Sequence, residues 1–239
     1  MEKTVLITGA SRGIGRECAV SFSKAGYHVA AVYNKSREAA ERLKEEIGCD
    51  IYSCDVSDCA AAEDIARQAA KRTGRIDVLI NNAGIAEQAL FSDITEKMWD
   101  NMFNVNVKGV YSFTHAVLPY MIHEKYGRII NISSMWGQVG ASCEVHYSAA
   151  KAAVIGFTKA LAKETGLSGI TVNCIAPGVI DTDMNAHLSP EIMAELAEET
   201  PMNRIGTASD IARTALFLAD EKADFITGQI IGVNGGFII

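Results

Sequence analysis

A chain of 239 residues, 49% of them hydrophobic, is long enough to bury one α/β core and short for two ordinary domains, so residues 1–239 are read as a single domain. A charged fraction of 21% with a formal net charge of -7 offers no basic footprint to nucleic acid or to an anionic membrane. Both are excluded as partners, and a small soluble substrate is expected. No apolar run approaches the length of a bilayer span, and Met1-Glu2-Lys3-Thr4 leads straight into Val5-Leu6-Ile7 without a secretory signal, so the cytoplasm is the expected location.

The first apolar run, 4–8, ends in Thr8-Gly9-Ala10-Ser11-Arg12-Gly13-Ile14-Gly15 and feeds a helical pattern over 13–25. Glycine is needed where the backbone takes positive φ or lies against a ligand, and a helix N-terminus offers unpaired N–H groups to a pyrophosphate. The spacing is GxxxGxG rather than GxGxxG. It nevertheless occupies the first strand-to-helix junction, where dinucleotide binding requires it, which makes Gly9, Ser11, Arg12, Gly13, Ile14 and Gly15 candidate contacts. The second run, 28–33, ends without the carboxylate that would bind a ribose 2′-hydroxyl. Asn34, Lys35, Ser36 and Arg37 follow instead, and Arg12, Lys35 and Arg37 are cations suited to a 2′-phosphate, so the pattern favours NADP over NAD. A solvated helix start is the alternative use of Lys35 and Arg37. After the third run, 50–54, Asp55 with Val56 is a candidate for the adenine end, or a helix-capping aspartate.

Further apolar runs at 76–81, 128–133, 171–176 and 229–233 alternate with helical patterns at 37–47, 60–73, 96–123, 145–165 and 209–218. None of the runs alternates with polar residues, as expected of parallel strands covered on both faces by helices. Gly26, Gly48, Gly74 and Gly166 follow helical stretches where a left-handed residue ends the helix. The irregular stretch 178–207, with its own helical pattern around 190–199, is read as a mobile lid over the substrate. The six cysteines lack zinc-ligand spacing, so no metal is expected and the thiols are read as reduced and mostly buried.

On these elements lie Asn81-Asn82-Ala83-Gly84, Asn106 within Asn104-Val105-Asn106-Val107-Lys108-Gly109, Ser134, Tyr147 with Lys151 four residues later, and Pro177-Gly178. With TGASRGIG at 8–15 they resemble the short-chain dehydrogenase/reductase family, in the family's order and over essentially the whole chain. The resemblance implies a Rossmann-type doubly wound α/β domain with a mainly parallel seven-stranded sheet, helices on both faces, and NADP(H) as cofactor. Reducing a ketone by hydride transfer builds negative charge on its oxygen, which calls for a proton donor and a hydrogen-bonding partner there. Tyr147 is the candidate acid. A free phenol titrates near about 10, and Lys151 on the same helix face is expected to favour the phenolate. The resemblance further implies that Lys151 holds the nicotinamide ribose, Ser134 binds the carbonyl oxygen, and Asn106 anchors a water relay. By the same analogy Asn82, Ala83, Gly84, Val179 and Thr182 lie near the cofactor.

The wording Asp181-Thr182-Asp183-Met184 and the ending Ile226-Thr227-Gly228-Gln229 with Val233-Asn234-Gly235-Gly236 are most similar to 3-oxoacyl-[acyl-carrier-protein] reductases. That similarity implies a carrier-bound or small-molecule carbonyl substrate and a homotetramer. Two departures stand out: Ser168 occupies a position where such reductases often carry arginine, leaving Lys125 and Arg128 nearby, and Glu144 puts a carboxylate three residues before Tyr147. A negative charge there favours an amine-bearing ketone. The stretch Ser133–Gly137 followed by Ala141–Glu144 also resembles elongation factor P 5-aminopentanone reductases, the alternative substrate class. Trp136, Glu144 and His146 are expected in the substrate pocket. A nucleotide-sensing regulator without chemistry would show erosion at the catalytic positions, and none is eroded.

Overall fold

The computed structural model describes residues 2–186 and 188–239. In chain order the elements are β1 (Thr4–Thr8), α1 (Gly13–Lys24), β2 (His28–Tyr33), α2 (Arg37–Ile47), β3 (Asp50–Ser53), α3 (Cys59–Thr73), β4 (Val78–Asn81), α4 (Glu96–Phe103), α5 (Gly109–Glu124) and β5 (Gly127–Ile132). They continue with α6 (Trp136–Val139), α7 (Val145–Thr165), β6 (Ile170–Pro177), β7 (Ile180–Asp181), α8 (Pro190–Glu199), β8 (Gly206–Thr207), α9 (Ala208–Ala219) and β9 (Ile230–Val233).

The main sheet has seven strands in the order β3-β2-β1-β4-β5-β6-β9, and every pairing is parallel. The chain winds outward one way from β1 and the other way from β4. A crevice therefore opens at their carboxyl ends, where the order reverses and ligands of such sheets bind. Although the strands carry no polar alternation, their residues still alternate between two cores. Val5 and Ile7 face a cluster with Phe22 of α1 and Ile211 of α9, whereas Leu6 faces one with Phe113 of α5 and Ile65 of α3.

A buried polar ladder crosses the middle of the sheet. Asn81 Nδ2 donates to Asn131 Oδ1 (2.9 Å) and to Thr114 Oγ1 (3.0 Å), and Asn131 Nδ2 donates to Thr158 Oγ1 (2.9 Å). These bonds tie β4 and β5 to α5 and α7. At the opposite, amino edge, fully buried Asp77 accepts from the Thr4 N–H at 2.8 Å and pairs with Arg75.

Three expectations change. The helix predicted over 96–123 is broken by a π-turn at Asn104–Lys108, where the Asn106 side chain turns to the main chain of Ile85 and Met102. Gly166 is right-handed (φ -55) because α7 runs on into a 3₁₀ turn; the left-handed residue is Gly169 (φ 71). The stretch read as irregular holds the expected helix at 190–199 as α8, which Ser189 caps through its side chain and which buries none of its residues, and it adds an unforeseen short parallel pair, β7 with β8. Among the described residues no helix is long and apolar enough to cross a membrane. All six cysteines are free, and Cys18, Cys49, Cys54 and Cys174 are buried.

Candidate active site

The glycine-rich turn folds as its residues require. Gly9 and Gly13 have φ of 65 and 53, the left-handed region that glycine reaches without a steric cost. Gly15 has no room for a side chain: a Cβ there would lie 2.3 Å from the Gly9 carbonyl oxygen. Asn82 braces the turn from β4, its amide donating to the carbonyl oxygens of Thr8 (3.0 Å) and Gly9 (3.1 Å). Thr8 Oγ1 answers by accepting the backbone N–H groups of Asn82 and Ala83, both at 3.0 Å.

This turn forms one wall of a crevice of about 580 Å³. Gly9, Ser11, Arg12, Gly13 and Ile14 line it, as do Asn34, Lys35 and Ser36 after β2, Asp55 and Val56 after β3, Asn82-Ala83-Gly84 after β4, and Thr182 after β7. Gly15 supports this wall from behind. Arg37 does not line the crevice; its exposed guanidinium faces Glu41 one turn along α2, at 3.7 Å. Asp55 is held below the ordinary carboxylate range, chiefly by the Ser57 backbone N–H. Sequence reasoning did not place Asp183 and Met184 in the crevice, although both stand in the 181–184 wording, and it missed Ile85 and Ala86 after β4, which belong to no motif. Glycines packed too closely for a Cβ, a helix N-terminus facing the cavity and cations at its β2 end fit a dinucleotide.

Pro177, Gly178 and Val179 lie outside that lining and act on the frame. The Pro177 carbonyl accepts from the Met135 N–H at 2.9 Å, Gly178 donates to Val233 at 3.0 Å, and the Val179 carbonyl accepts from the Gly206 N–H at 3.0 Å. They join the ends of β5, β6 and β9 to β8.

Beside the crevice, the end of β5 meets α7. Ser134 and Tyr147 are buried, and the Ser134 hydroxyl lies close enough to the phenol to lower its pKa. Lys151 is buried beneath, with Nζ donating to the Ile132 carbonyl at 3.0 Å and lying 5.7 Å from the centre of the Tyr147 ring. A Cβ on Gly84 would lie 2.7 Å from Asn106 Oδ1 and 3.3 Å from Lys151 Nζ, so the bareness of Gly84 keeps the space between those two groups open. Asn106 is held there by its amide, which donates to the carbonyls of Ile85 (3.0 Å) and Met102 (3.1 Å).

The electrostatics differ from the expectation. Burial pushes the Tyr147 phenol up to about 12; Ser134 opposes that shift and Glu144 adds to it. Burial likewise pushes Lys151 down to about 8. Each group is penalised for carrying charge out of water, and the lysine head is turned to Ile132 instead of the phenol. At neutral pH the site therefore holds a protonated phenol above an amine that titrates close to neutrality.

The three expected pocket residues lie around Tyr147 in different settings, Glu144 near enough to raise the phenol's pKa. His146 is fully buried, with neither ring nitrogen hydrogen-bonded, so it packs beneath the site. Glu144 precedes α7 and accepts from the Gln88 side chain at 3.1 Å. Trp136 stays close to the reacting groups, its backbone N–H donating to Ser134 Oγ at 3.1 Å.

The sequence matches, over residues 9–238, a family model described as enoyl-(acyl carrier protein) reductase. It is 43% identical to the 3-oxoacyl-[acyl-carrier-protein] reductase FabG of Staphylococcus aureus across 99% of this chain and 98% of that protein. It is 44% identical to the acetoacetyl-CoA reductase of Shinella zoogloeoides, again across 99% and 98%, and 41% identical to that of Rhizobium meliloti over the same shares. Likeness of this extent, together with the parallel sheet and its crevice, means that the chain belongs to the short-chain dehydrogenase/reductase family and is an oxidoreductase that works with a nicotinamide cofactor.

Proposed function

We propose that the protein reduces the ketone of a 3-oxoacyl thioester to a secondary alcohol with NADPH. The observation that carries this reading is the Ser134 hydroxyl beside a buried, protonated Tyr147, with Lys151 beneath them. When bound, reduced nicotinamide supplies the hydride. The Tyr147 hydroxyl donates the proton that the developing alkoxide needs, and Ser134 donates a hydrogen bond to the same oxygen. Lys151 holds a proton to return to Tyr147, because its pKa near about 8 keeps both protonation states populated. Asn106 Oδ1, across the space left by Gly84, orients whatever bridges to that amine.

Preference for NADPH is supported by Arg12 and Lys35 on the crevice wall and by the lack of a carboxylate at the end of β2. The matched family model is described for enoyl thioesters, but relatives that cover the whole chain are named for ketones, and the reading follows them. Exposed Trp99 on α4 and Tyr111 on α5, with Leu90 and Phe91 just before α4, offer apolar surface on which copies of the chain would assemble into a homotetramer.

An amine-bearing ketone would find the Glu144 carboxylate near Tyr147, with one oxygen bonded to Gln88, but the relatives are named for 3-oxoacyl and acetoacetyl thioesters and the reading follows them. The deciding experiment compares oxidation of NADPH and of NADH with an acetoacetyl thioester and with an amino-ketone. Turnover of the thioester with NADPH is expected. Preferential turnover of the amino-ketone, lost in Glu144→Gln, would replace this reading.

A further inference from the structure

Trp136 opens α6 two residues after Ser134, and its indole packs against the cluster of Tyr147, Met102 and Ala150. A ketone whose oxygen sits between Ser134 and Tyr147 therefore presents one of its two substituents to that indole. The other substituent carries the thioester and its bulky carrier, which need the open mouth of the crevice.

The far side of the indole is closed by the C-terminal tail. Phe237 meets Trp136 edge to face, with ring centroids 6.1 Å apart at 86°. The tail is fixed in place: the Gly235 carbonyl accepts from the Met202 N–H (3.1 Å), Asn234 Oδ1 accepts from the Gly236 N–H (2.9 Å), and Asn234 Nδ2 donates to the Ile238 carbonyl (3.0 Å). Gly235 has φ of 64, and a Cβ on it would lie 2.6 Å from Thr200 Cγ2, so the tail lies flat against the far end of the lid. A long acyl chain running past Trp136 would have to move Phe237, and with it the tail and residues 200–202.

We infer that the Trp136–Phe237 pair ends the acyl side of the pocket and confines this protein to short 3-oxoacyl groups. The inference rests on the ketone reading above. An aromatic edge-to-face contact is favourable beyond the area that it buries, so the wall resists displacement by a flexible alkyl chain.

The test measures kcat/KM with NADPH for the N-acetylcysteamine thioesters of acetoacetate and of 3-oxooctanoate. The wild type is expected to favour the four-carbon ester, and Phe237→Ala to raise the eight-to-four ratio about tenfold, the scale set by a few methylenes in an apolar pocket. NADPH fluorescence on binding reports that the variant is folded; Phe237→Leu, a milder truncation, is read in the same way should the alanine variant fail to fold. A wild type that reduces neither ester overturns the ketone reading and this inference together. A wild type indifferent to chain length, or a folded variant with an unchanged ratio, overturns this inference alone.

Discussion

Lys151 is gripped at both ends where β5 finishes: its ammonium donates to the carbonyl of Ile132, the last residue of the strand, at 3.0 Å, and its own carbonyl accepts from Oγ of the next residue, Ser133, at 2.8 Å. The strand that presents Ser134 therefore also sets the height of the lysine on α7. A Cβ on Gly137 would lie 2.8 Å from the Lys151 carbonyl carbon, which closes the grip from a third side.

That grip holds a cation out of water. Burial lowers the Lys151 pKa from 10.5 to about 8, so between those values the unfolded chain binds a proton that the folded one does not, and stability rises with pH across that window. Below about 8 the penalty is present in full. Lys151→Met is accordingly expected to be more stable than the wild type at pH 7, by about 2 kcal/mol once the lost bond to Ile132 is allowed for. Thermal melts from pH 7 to 10.5 check this: the gap should close towards the alkaline end. A variant that melts below the wild type at pH 7 contradicts it.

Tyr147→Phe keeps the ring and removes the hydroxyl. Turnover is expected to fall by about 10²- to 10⁴-fold, the usual scale of one positioned proton donor, while NADPH affinity changes little. Stopped-flow reduction and a binding titration separate the two. Retained turnover would mean that another group protonates the oxygen.

Arg12 and Lys35 reach the crevice whereas Arg37 faces Glu41. Lys35→Ala is expected to raise the KM for NADPH about tenfold with little effect on NADH, and Arg37→Ala to do much less. Equal effects in steady-state kinetics would show that Lys35 and Arg37 share the phosphate.

Asp77 stands at the opposite edge of the sheet, fully buried, bonded to the Thr4 N–H and paired with Arg75. Asp77→Ala leaves the buried Thr4 N–H unpaired and Arg75 with Glu124 alone, and is expected to cost about 1–3 kcal/mol, measured by urea denaturation. The kcat of protein still folded at low temperature should be unaffected, because the change lies far from the crevice.

Much of this was legible in the sequence where local and global signals agree. The runs at 4–8 and 28–33 coincide with β1 and β2, and the helices at 37–47 and 60–73 end where expected, because Gly48 and Gly74 take the left-handed conformation there. The features that escaped depend on distant partners. The π-turn around Asn106 follows from its bond to Ile85, in a loop 21 residues earlier. Position 169 must be glycine because a Cβ there would lie 2.3 Å from the Lys125 carbonyl oxygen, on another element, and its left-handed backbone closes the 3₁₀ turn after α7. β7 and β8 have two residues each, too few for any periodicity. Motif spacing identified Tyr147 and Lys151 as neighbours, but their titration depends on burial, which spacing does not encode.

Phe237 stands two residues from Ile239, so anything joined after Ile239 hangs from the ring that backs Trp136. A purification handle or fluorescent fusion at that end would report the kinetics of a disturbed pocket. One joined ahead of Thr4 would hang from the amino edge of the sheet, away from the chemistry.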